Sequence, residues 1–144
     1  MPAMWSREAS AWTSATPEQV WARWTDVGHW STWDASLRAS ALRGPFAVGS
    51  RGDLQPTSGP RASFILTDVV PHRAFSNRMR LPLATIDFVH TLDLGADGRT
   101  RITHRIEIDG PLGALFVRLI GRGAADTLPA AVAALARQAE ESRR

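Results

Sequence analysis

The chain of 144 residues contains no cysteine, no lysine and no tyrosine. Without cysteine there is no disulfide, no thiolate nucleophile and no cysteine-ligated metal. Without lysine a Schiff base is excluded, and without tyrosine no phenol can act as an acid or oxyanion donor. Ser, Thr, His, Asp, Glu and Arg remain as the chemical groups. The same absences account for a sequence pI of about 11.1. Almost nothing titrates between histidine and arginine, so a net charge of +3 persists until the arginines themselves deprotonate. Those arginines are scattered rather than clustered, so nucleic acid is not an expected partner. No uninterrupted apolar run approaches the roughly 18 residues of a membrane span. The opening "MPAMWSREAS" has neither the basic start nor the apolar centre of a signal peptide, so the cytoplasm is the expected compartment.

What is present fits one domain, 1–144, of a size that can enclose a core or a ligand cavity. Hydrophobic content of 44% and charged content of 22% are those of an ordinary globular chain. A first strand is expected over 5–12. "TSATPEQVWARW" then carries a helix start, with Thr16 as N-cap, Pro17 at the first helical position and Gln19 completing a capping box. Val20, Trp21, Trp24 and Val27 follow at helical spacing, and Gly28 offers a stop. A second short turn, "HWSTWD", sets Trp30 and Trp33 three apart. These tryptophans either wedge a helix pair against a sheet or line a pocket. Six further strands are expected over 37–43, 50–55, 61–70, 74–81, 84–94 and 99–108, at the spacing of an antiparallel meander. The "RGD" at 51–53 reads as turn chemistry in a Gly- and Pro-rich stretch. The last segment is helical, with one stripe of Leu112, Leu115, Phe116, Leu119 and Ile120 and another of Leu128, Val132, Leu135 and Ala139. A kink or break is expected between Gly121 and Pro129, because Pro129 cannot donate to the carbonyl of Ala125.

Two histidines stand in an apolar register. If Ala96, Asp97 and Gly98 form a three-residue loop, Gly95 closes against Arg99 and Leu92 pairs with Ile102, His90 with His104, Phe88 with Ile106, and Ile86 with Ile108. A slip of one residue would set polar against apolar at every pair. Two neutral imidazoles are thus expected side by side on the buried face. They can be a satisfied core pair, a pair that contacts a ligand, an acid–base pair, or two ligands of a metal. A catalytic zinc usually needs a third protein ligand, and no third histidine fits this face, so no metal or other cofactor is expected. Asn77 shares its register with Phe75, Met79 and Leu81, which suggests a wet or ligand-filled cavity, since a buried amide costs free energy unless paired.

The order of these pieces resembles the START-like superfamily (SRPBCC, helix-grip fold), in particular its bacterial polyketide cyclase/dehydrase-like branch. The matching stretches are "TPEQVWARWTDVGHWSTWD", "VVPHRAF", "DFVHTLDL", "GRTRITHRIEIDGPLG" and "AALARQAEE", which together span nearly the whole chain. The resemblance implies an α+β fold: a seven-stranded antiparallel sheet wrapped around a long C-terminal helix, two short helices between strands 1 and 2, and a deep apolar cavity. In that setting the leading expectation is an apolar, lipid- or polyketide-like ligand held by Phe75, Asn77, Met79, Phe88, His90, His104, Ile106, Phe116, Leu119 and Ile120. A cyclase or dehydratase using His90 or His104 is the second reading. Members of that kind frequently use Tyr or Lys, which are absent here. An interaction module with a side-chain-filled cavity is the third, and a homodimer is allowed by all three.

Overall fold

In the computed structural model, which describes residues 3–141, the seven strands are β1 (Trp5–Thr13), β2 (Leu37–Arg43), β3 (Arg51–Pro56), β4 (Ala62–Val70), β5 (Ala74–Leu81), β6 (Ala84–Leu94) and β7 (Thr100–Asp109). They form one antiparallel sheet in the order β1-β7-β6-β5-β4-β3-β2. Neighbours in sequence are neighbours in space except that β1 closes on β7, so short turns suffice everywhere but between β1 and β2. That one long connection holds α1 (Pro17–Thr25) and a 3-10 helix, Val27–Thr32. The N-cap of α1 is as expected. The Thr16 hydroxyl accepts from the backbone N–H of Gln19, and the Gln19 side chain accepts from the backbone N–H of Thr16 at 2.8 Å.

The β6–β7 hairpin has the expected register. His90 faces His104, Leu92 faces Ile102, Phe88 faces Ile106 and Ile86 faces Ile108. The loop closes through a 2.8 Å bond from the Gly95 N–H to the Arg99 carbonyl, and Gly98 takes the left-handed conformation at φ +82° that the three-residue loop requires. Ile86, Ile102, Ile106 and Ile108 are fully buried on the concave face. The opposite face carries ion pairs such as Arg78 with Asp87 and Arg105 with Glu107.

Four expectations need correction. Gly28 does not end α1. The helix stops at Thr25, with Asp26 as its C-cap, and Gly28 lies inside the 3-10 helix, where the Trp30 indole N–H holds the turn by donating to the Trp24 carbonyl at 2.8 Å. The "RGD" is no turn, because Arg51, Gly52 and Asp53 lie within β3. A Cβ at Gly52 would meet the Ala41 carbonyl and the Phe64 ring at 2.4 Å, so glycine is there for close approach.

The other two corrections concern the C-terminal helix. It begins with one turn, α2 (Gly113–Phe116), passes through a π-helical turn, Val117–Gly121, and continues as α3 (Arg122–Glu141) through Pro129 without a new element. The helix is therefore not broken at Pro129, and its irregular turn is Val117–Gly121. The extra residue of a π turn rotates the helix face. Along this stretch Leu112, Leu115 and Leu119 are exposed, at 37%, 45% and 67%, and Gly113, Val117 and Gly121 are buried instead. A Cβ on Gly121 would lie 2.7 Å from Ile108, so these glycines let the helix lie close on β7. The second stripe is as expected, with Leu128, Val132, Leu135 and Ala139 all buried. By length and composition Gly113–Glu141 is apolar enough to cross a membrane, but here its buried stripe is the face the sheet grips. Thr13 fixes this docking by donating to the Ala136 carbonyl, and Glu140 accepts from the Ser14 N–H at 2.9 Å.

Candidate functional site

Between the concave sheet and α3 lies a cavity of about 870 Å³, within the size range of small-molecule sites. One wall is the sheet, with Asn77 and Met79 from β5, Phe88 and His90 from β6, and His104 from β7. The facing wall comes from the C-terminal helix through Leu119, Ile120, Ala124, Leu128 and Ala131. Trp30 and Trp33 close one end, and the loop 57–61 borders the opening. Of the ten residues expected to hold a ligand, Asn77, Met79, Phe88, His90, His104, Leu119 and Ile120 thus line the cavity. Phe75, Ile106 and Phe116 do not. Phe75 and Ile106 are fully buried behind the lining, and Phe116 lies on the turn preceding the π segment.

The histidine pair sits at the closed end, inside an aromatic cluster. His90 stacks flat on Phe75, with ring centroids 3.9 Å apart and planes 3° from parallel. Its Nδ1 lies 3.2 Å from the Phe75 carbonyl oxygen. A carbonyl only accepts, so Nδ1 carries the proton and Nε2 keeps a lone pair. In His104, Nε2 accepts the indole N–H of Trp24 at 3.2 Å, which places the ring proton on Nδ1. The two imidazoles meet edge to face with centroids 4.7 Å apart. Desolvation holds His90 down to a pKa of about 3, partly countered by its bond to Phe75. His104 is held well below the ordinary histidine value by desolvation and then by repulsion from His90. Both rings are neutral at pH 7.

Asn77 is 2% exposed, and its Oδ1 is buried without a hydrogen-bond partner. A β-bulge between Leu66 and Asp68 lies beside it on β4. The remaining charged lining sits away from this closed end. Arg61 is exposed and paired with Asp53, Arg80 is exposed at the end of β5, and Asp34 accepts from Ser36. The Arg105 guanidinium is held by Glu8 and Glu107 on the outer face of the sheet. No group of three His, Asp or Glu side chains among the described residues could hold a metal ion. A second concavity of about 380 Å³ lies on the outer face between Glu8, Asp93, Arg101 and Arg105. It is walled by surface ion pairs, whose contribution is small.

Sequence reasoning left out much of the helix wall, namely Ala124, Leu128 and Ala131, and the loop 57–61. The "HWSTWD" tryptophans were the legible signal for one end of the cavity, since Trp30 and Trp33 could be assigned either to the core or to a pocket.

The sequence matches the family model described as polyketide cyclase / dehydrase and lipid transport over residues 4–140. Solved structures with the same fold include the di-domain ARO/CYC StfQ from the steffimycin biosynthetic pathway, at TM-score 0.76 and 10% identity over 96% of this chain and 51% of that two-domain chain. MLL2253 from Mesorhizobium loti aligns at TM-score 0.73 and 20% identity, covering 97% of this chain and 99% of that one. A norcoclaurine synthase point mutant from Thalictrum flavum, in complex with a transition state analogue, aligns at TM-score 0.70 and 13% identity over 97% and 96%. No curated protein sequence matches the chain.

Proposed function

The chain belongs to the polyketide cyclase / dehydrase and lipid transport family, and from that premise we propose that it binds an apolar, lipid- or polyketide-like small molecule between the sheet and the C-terminal helix. The observation that carries this reading is the pairing of a cavity of about 870 Å³ with an unpartnered, buried Asn77 amide in its wall. A binding site needs apolar surface for affinity and a few polar groups for orientation, and both occur here together. An interaction module would fill the space with its own side chains, and the open volume speaks against that. Chemistry by His90 or His104 is disfavoured by the same burial that makes them good neutral hydrogen-bond partners. A group held near pKa 3 is a weak general base at neutral pH.

The test is native mass spectrometry of the purified protein, alongside Ala124→Trp, which places an indole in the cavity. The parent should carry, or take up, one small apolar molecule that is released on denaturation, and the variant should not. A parent that stays ligand-free with every apolar compound offered would overturn the proposal.

A further inference from the structure

We infer that the buried end of the ligand is uncharged and carries a hydroxyl, as in a phenol, an enol or an alcohol, seated between His90 and His104. This rests on the binding reading and deepens it. Each imidazole has one nitrogen already committed to the protein. His90 Nδ1–H donates to the Phe75 carbonyl, and His104 Nε2 accepts from Trp24. The remaining two nitrogens have no partner among the described residues, and neither is sealed off from the cavity that both rings line. The cavity therefore presents one N–H donor, His104 Nδ1, beside one lone pair, His90 Nε2, on rings with centroids 4.7 Å apart.

A hydroxyl is complementary to that pair, because it accepts from the one and donates to the other. A carboxylate has no proton for His90 and turns its own lone pairs toward another. No guanidinium compensates at that depth, since Arg61 and Arg80 are exposed. A ketone satisfies His104 alone, and a hydrocarbon satisfies neither. Asn77 lies diagonally across from His90 in the β5–β6 register, where Phe75 faces His90 and Asn77 faces Phe88.

Three probes of nearly one shape test this at pH 7: 2-naphthol, naphthalene and 2-naphthoate, titrated into the purified protein and followed by tryptophan fluorescence and calorimetry. We expect 2-naphthol to bind about tenfold or more tighter than naphthalene, the ratio for one lost buried hydrogen bond, and 2-naphthoate to bind more weakly than 2-naphthol. In His90→Phe the preference for 2-naphthol over naphthalene should fall toward unity. Should that variant not fold, the ¹⁵N resonances of His90 Nε2 and His104 Nδ1 in the parent should both shift with 2-naphthol and not with naphthalene. Equal binding of 2-naphthol and naphthalene, or tightest binding of 2-naphthoate, overturns the inference and leaves the binding reading intact. If none of the three binds, both fail together.

Discussion

Asn77→Leu is expected to stabilise the ligand-free protein. The residue is 2% exposed, and its amide oxygen has no partner. Burial of such a group without a hydrogen bond costs about 1 to 3 kcal/mol. Leucine has nearly the same volume, and its cross-strand neighbours would be Leu66 and Phe88, both apolar. The gain should be about 1 to 2 kcal/mol, which for a chain of this size corresponds to a rise in Tm of roughly 3 to 6 °C. The assay is urea and thermal denaturation of protein refolded from denaturant, so that any carried ligand is removed, repeated with saturating 2-naphthol. The variant should begin more stable and, because 2-naphthol offers its one hydroxyl to His90 and His104, gain about as much from the ligand as the parent does. A fall in ligand-free stability of about 1 kcal/mol or more would refute the reasoning, since it would mean that the amide makes bonds the fold depends on.

Stability should also depend on pH through the buried histidines. Their folded pKa values lie below the ordinary value of 6.5, so below that pH the unfolded chain binds protons that the folded chain does not, and stability falls as pH drops from about 6.5 toward 3. For His90 alone the loss by pH 5 is about 2 kcal/mol relative to pH 8, and urea titrations across that range should show it while His90→Phe shows a shallower slope. Thr16→Ala removes the acceptor of the α1 capping box and should cost about 1 kcal/mol by the same titration. Gly110→Ala should cost about 1 to 3 kcal/mol, because Gly110 has φ +111° and a Cβ there would meet the Leu83 carbonyl at 2.5 Å. A neutral outcome would mean that the turn after β7 relaxes.

Local signals carried the strands and the hairpin. With 96–98 as a three-residue loop, the period-two pattern on both sides of "GADG" pairs apolar with apolar and His90 with His104, so that contact is legible in the amino-acid order. The capping box of α1 is equally local. The phase of the C-terminal helix was not legible, because a π turn leaves no clear mark in hydrophobic periodicity. Leu112 and Leu115 are exposed before the π turn at Val117–Gly121, and Leu119, though 67% exposed, borders the cavity. A break at Pro129 does not occur, since Pro129 lies inside the continuous α3. The cavity is assembled from segments far apart in the chain, among them the 3-10 helix, the loop 57–61 and α3. Sheet periodicity could mark its floor but not its opposite wall.

The central claim is that the space between sheet and helix holds a small apolar molecule, and an NMR titration of isotopically labelled protein with 2-naphthol tests it most directly. The account predicts saturable one-to-one shifts centred on the cavity-lining Trp33, Met79, Phe88 and Ala131, with Thr91 and Thr103 on the outer face unmoved. Shifts that do not saturate, or that gather on the outer face while the cavity residues stay still, would contradict it.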